Sequence, residues 1–168
     1  MNNVEEIVSK ANVETDAQVS SDGAGSVKIS VLEPTTINLF EAGDVDVEKA
    51  KLLYQAKLKS ENLEGNAYLE MLLHYPDTGD FYVQGKEAGI TGTSDWTTVE
   101  ASTEVEDGKN PDAVKLNLVV DGKGTVWVDD VKLSKVVTEQ AQPEASSQTT
   151  TTETEQPGTE PAQEPAAQ

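Results

Sequence analysis

The sequence predicts an all-β protein, a single antiparallel β-sandwich over residues 17–137, and two observations carry that expectation. About eight segments alternate apolar and polar side chains at a period of two, the pattern of a strand with one face in a core. Clusters of Gly, Asn, Asp and Pro separate them, and no stretch keeps a convincing helical period. An antiparallel sandwich accounts for both, because each strand then hides every second side chain.

Taken in order, residues 1–16 carry only a faint helical period and are expected to be a flexible lead-in. Ser20-Ser21-Asp22-Gly23-Ala24-Gly25 is a turn cluster. Residues 27–32 and 35–41 read as strands separated by Glu33-Pro34, with Ile37 and Leu39 inward and Thr36, Asn38 and Phe40 outward. An acidic loop, 41–48, leads to a strand over 50–60. There Leu52, Tyr54, Ala56 and Leu58 face one way, and Lys51, Leu53, Gln55, Lys57 and Lys59 the other. A helix competes for this segment, but the alternation and the Gly65-Asn66 turn after it favour a strand.

The next strand, 66–75, puts Ala67, Leu69, Met71, Leu73 and Tyr75 in the core and Tyr68, Glu70, Leu72 and His74 opposite. Residues 76–95 are Gly-rich, with a short aromatic patch, Phe81-Tyr82, that can form a strand of its own. Residues 96–106 follow as a strand with Val99, Ala101, Thr103 and Val105 inward. Asp107-Gly108-Lys109-Asn110-Pro111 then turns the chain.

The organising stretch is 111–134, PDAVKLNLVVDGKGTVWVDDVKLS. Val114, Leu116, Leu118 and Val120 alternate with Lys115, Asn117 and Val119. Asp121-Gly122-Lys123-Gly124 predicts a tight hairpin turn. On the return strand Val126 and Val128 share one face, with Trp127 on the other. At Asp129-Asp130 the alternation slips, and one extra residue, a β-bulge, would restore it for Val131 and Leu133. After Val137 the composition changes: residues 138–168 hold Pro, Gln, Thr, Glu and Ala, with six glutamates and no lysine. Such a segment cannot bury enough apolar surface to offset the ordering entropy and is expected to be a disordered acidic tail.

The closing strand GTVWVDDVKL resembles the last strand of galactose-binding-like jelly rolls, the architecture of several carbohydrate-binding module families. Ala67-Tyr68-Leu69-Glu70-Met71 through Ser94-Asp95-Trp96-Thr97 is similar to the middle of such domains, so the resemblance spans roughly residues 19–135. It implies a jelly-roll sandwich, a non-catalytic ligand-binding module with a glycan or other small polar ligand, and a structural calcium near the chain ends held by Asp129 or Asp130. Because that fold also hosts purely structural modules, a structural or protein-interaction module without a small-molecule ligand is the alternative.

Composition limits the partners. With 31 acidic against 12 basic residues the formal net charge is −19, which repels a phosphate backbone and an anionic membrane surface. Every basic residue is a lysine, so no guanidinium fork is present for phosphate. No segment reaches the roughly 20 apolar residues that span a bilayer. The expectation is a soluble monomer that neither binds nucleic acid nor inserts in a membrane. The N-terminus lacks the pattern of a signal peptide, although an excised module of an extracellular or cell-surface protein would look the same. The chain has no cysteine, which removes disulfides and thiolate chemistry and leaves the compartment open.

Catalysis finds little footing. His74 is the only histidine, no Gly-x-Ser-x-Gly elbow accompanies it, and a zinc site would need a second imidazole. Asp44-Val45-Asp46 begins like a calcium loop, yet Lys49 and Gln55 stand where its Gly and Glu belong. Two constellations remain. One is Asp129-Asp130 as calcium ligands. The other is the face opposite the core, where Gln55, Lys57, Tyr68, Glu70, His74, Lys115, Asn117 and Trp127 mix aromatic planes, amides and charges as sugar recognition requires.

Overall fold

The computed structural model describes residues 13–43 and 45–137. Most of the lead-in and the acidic tail lie outside them. Seven antiparallel strands follow in order: β1 (Val13–Asp16), β2 (Ser26–Val31), β3 (Thr35–Gly43), β4 (Ala50–Tyr75), β5 (Gly79–Gln84), β6 (Ile90–Val105) and β7 (Ala113–Val137). A single 3₁₀ turn, Lys86–Ala88, links β5 to β6. β1 falls inside the stretch read as lead-in, where it pairs with β2.

The hairpins expected at Gly65-Asn66 and Asp121-Gly122 do not exist. β4 has 26 residues and β7 has 25, and they pair with each other from Ala50↔Val137 to His74↔Ala113. A straight strand of that length would extend about 85 Å, more than twice the width of a domain this size, so both strands must fold over. They do so together at residues 61–65 and 121–125, where the register shifts between Glu61 and Glu64. Gly65 and Gly122 face each other at this fold line: a Cβ on Gly65 would collide with the Asp121 carbonyl oxygen, and one on Gly122 with that of Glu64. Close approach of two backbones demands glycine as a reverse turn does. The same residues therefore signalled a chain reversal that the ladder excludes.

Folding over creates two layers. In one, β3, the first half of β7, the second half of β4 and β5 lie side by side. In the other the order is β1, β2, the second half of β7, the first half of β4 and β6. The inward faces share one core: Leu52, Tyr54, Ala56 and Leu58 before the fold line in β4, Ala67, Leu69, Met71 and Leu73 after it, and Val114, Leu116, Leu118, Val120, Val126 and Val128 from β7. All of these match the predicted inward positions. The predicted slip at Asp129-Asp130 is also present: Lys57 pairs with Asp129 and Gln55 with Lys132, so Asp130 and Val131 oppose Ala56 alone. Asp130 takes a φ of 51°, as the first residue of a bulge can.

Candidate functional site

Cross-strand partners point to the same side of a sheet, so the ladder register lays out the outer face of the first layer row by row. One row runs Asn38, Asn117, Glu70, Gln84 across β3, β7, β4 and β5. The next runs Glu41, Lys115, Leu72, Tyr82, and the third pairs Ala113, His74 and Asp80. Five predicted residues, Tyr68, Glu70, His74, Lys115 and Asn117, are thus brought onto one face.

In the first row both Glu70 oxygens are held: Asn117 Nδ2 donates to Oε1 at 3.1 Å and Gln84 Nε2 to Oε2 at 2.6 Å. This buried carboxylate fixes two amide planes. The Asn38 Oδ1 beside it is buried without a hydrogen-bond partner. In the second row Lys115 reaches Glu41 at 3.7 Å, and Tyr82, 56% exposed, offers a ring to solvent. His74 Nδ1 lies 2.7 Å from Asp80 Oδ1, and its Nε2 is 4.0 Å from Asp112. The Asp80 hydrogen bond raises the imidazole above its ordinary 6.5, helped by the Asp112 charge and opposed by desolvation and Lys115. Glu41, Leu72, His74, Asp80, Ala113 and Lys115 line a shallow depression of about 250 Å³.

Tyr68 shares the face but not its exposure. It is 4% exposed, and the Lys86 ammonium sits 5.4 Å from the centre of its ring. Gln55 and Trp127 sit on the outer face of the other layer. Gln55 donates to Glu100 Oε2 at 3.2 Å. The Trp127 ring, placed by alternation on the face away from the core, is nonetheless only 6% exposed. Its Nε1 donates to Asp16 Oδ2 at 3.0 Å, and Lys28 Nζ lies 6.0 Å from the ring centre. Asp16 is held below its usual range first by that indole hydrogen bond and then by the Gln18 amide. Alternation showed that Trp127 leaves the core, but not that β1 would lie beside it.

Asp129 is fully buried. Its Oδ2 accepts from Ser21 N at 2.9 Å and Ser21 Oγ at 2.8 Å, and its Oδ1 accepts from Asp130 N at 2.7 Å. Asp130 pairs with Lys132 at 2.7 Å and Lys57 at 3.7 Å, which hold it below the usual carboxylate value. Among the described residues no group of three or more His, Asp or Glu side chains is placed to hold a metal ion. A calcium needs about six to eight oxygens; the Ser21 and Asp130 donors on Asp129 tie the 20–25 turn to the bulge.

Tyr82 was missed by sequence reading. The signal lay in its phase with Asp80 and Gln84, obscured because a six-residue strand flanked by glycines gives too few alternations to orient.

No family model matches the chain, and neither does any curated protein. Solved structures do. A family 16 carbohydrate-binding module superposes with a TM-score of 0.55 at 16% identity, covering 73% of this chain and 85% of that one. The CBM22-1 xylan-binding domain of Paenibacillus barcinonensis Xyn10C gives 0.59 at 15% identity, over 81% of this chain and 89% of that chain. The fold is that of carbohydrate-binding modules, as the resemblance of the closing strand implied. The enzymatically active domain of bacteriophage CBA120 tailspike protein 4 contains the same architecture, at 0.59 and 11% identity, over only 20% of its length. Identities this low establish the sandwich, not the ligand.

Proposed function

We propose that this domain is a non-catalytic carbohydrate-binding module and that the outer face of β3, β7, β4 and β5 is its ligand surface. The observation that carries the reading is the exposed Tyr82 ring flanked by rows of fixed amides and the His74–Asp80 pair. A sugar ring presents a C–H face that packs on an aromatic plane and hydroxyls that pair with planar polar groups. The neighbours of the same fold support it, one of them described as xylan-binding. Glu70 is tied to two amides and Glu41 to Lys115, which suits an arrangement that holds hydroxyls. With a net charge of −19, a neutral glycan is the favoured ligand, and neither nucleic acid nor an anionic membrane is a partner.

The burial of Tyr68 and Trp127 favours a second reading, a structural or protein-interaction module, because neither ring is available to a ligand. A glycan array followed by titration with xylohexaose separates the two. On the binding reading Tyr82→Ala removes the site on this outer face, read as loss of the amide shifts there and of that site's heat, and leaves the melting temperature within a degree or two of the parent, as expected for an exposed side chain. Absence of binding to any glycan on the array would leave the structural reading standing.

A further inference from the structure

The edge where the two layers part is not closed at β5 and β6. Among the described residues each of these strands pairs only with β4, so the seam between them depends on side chains. Phe81 lies opposite Leu73 in the ladder and therefore points toward the core, yet it is 52% exposed while Leu73 is fully buried. Facing it from the other layer is Thr103, which occupies an inward position in line with the buried Ala101 and Val105. A polar side chain thus stands where an apolar one would seal the sandwich. The result is a crevice of about 260 Å³ with Phe81 and Tyr75 as its aromatic walls and Thr103, Glu104, Glu106 and Lys109 around them.

We infer that this crevice is a second saccharide-binding site, separate from the face that carries Tyr82. The inference rests on the carbohydrate-binding reading for its ligand class. Two aromatic walls, a hydroxyl and carboxylates match a sugar ring with an apolar side and a polar rim. Lys109 is neutralised by Glu106 at 2.8 Å, and Glu104 adds negative charge, so the crevice selects a neutral ring over an acidic one. Because successive residues of a strand point to opposite sides, Phe81 serves the crevice and Tyr82 the outer face. A short strand with adjacent aromatics then feeds two sites, and a glycan chain with many repeats gains avidity from both.

The test titrates the full chain with xylohexaose and with cellohexaose by calorimetry, and maps amide shifts by NMR. The expected result is two sites per chain, with shifts at residues 75, 81 and 103–106 as well as on the outer face. Phe81→Ala and Thr103→Val each leave only the outer-face site; Tyr82→Ala leaves only the crevice. Thr103→Val removes the hydroxyl without emptying the edge, so it serves if Phe81→Ala unfolds. A single site that Tyr82→Ala removes and Phe81→Ala does not touch, with unmoved crevice amides, overturns this inference and leaves the proposed function intact. Failure of the wild-type chain to bind either hexaose or any glycan on the array overturns both.

Discussion

Replacing Trp127 by Ala decides whether this aromatic is architecture or ligand platform. The ring is 6% exposed, and a buried aromatic removes roughly 200 Å² from water, which at about 25 cal/mol per Å² is near 5 kcal/mol. Partial collapse around the gap lowers the measured loss, so Trp127→Ala is expected to cost about 3–5 kcal/mol. Trp127→Phe keeps an aromatic ring but loses three ring atoms and the indole N–H to Asp16. Asp16 keeps its bonds from the Gln18 and Val19 amides, so the change should cost about 1–3 kcal/mol, less than the Ala variant. Urea unfolding followed by circular dichroism reads both as shifts in midpoint at constant slope. Glycan titration of Trp127→Phe should match the parent, since the ring lies on the layer opposite the proposed surface. A loss below about 1 kcal/mol for Trp127→Ala, or abolished binding in Trp127→Phe, would refute the structural account.

Tyr54 is fully buried, and that desolvation drives its ionisation far up; its hydroxyl has no hydrogen-bond partner. Tyr54→Phe removes an unsatisfied group and should stabilise the domain by about 1 kcal/mol, seen as a rise of the melting temperature by roughly 4 °C. Gly122→Ala forces a Cβ into the Glu64 carbonyl and should cost more than about 3 kcal/mol or prevent folding, measured by denaturant midpoint. Asp16 titrates below 3.8 when folded, so its contribution is whole above that value and is lost as pH falls through the folded pKa; Asp16→Asn should flatten the acid limb of stability against pH. For His74 the sign reverses. Its pKa is raised above 6.5, so its contribution is whole below 6.5 and fades as pH climbs through the folded value. His74→Gln should remove that decline in melts taken from pH 5 to 9.

The inward positions, the bulge at Asp129-Asp130 and the all-β class were legible in the chain because they are local: a period of two records which side of a strand is dry, and a slipped phase records an extra residue. Glycine at 65 and 122 was equally visible, but reversal and close crossing demand the same residue, and only the pairing of β4 with β7 distinguished them. The candidate face was half legible. Alternation put Tyr68, Glu70, His74, Lys115, Asn117, Gln55 and Trp127 outside the core, yet could not say which layer each belonged to. Folding β4 and β7 at their middles assigned the first five to one layer and the last two to the other. Exposure also waited for tertiary structure, since it depends on what lies above a side chain: β1 beside Trp127, Lys86 over Tyr68, and open solvent over Tyr82.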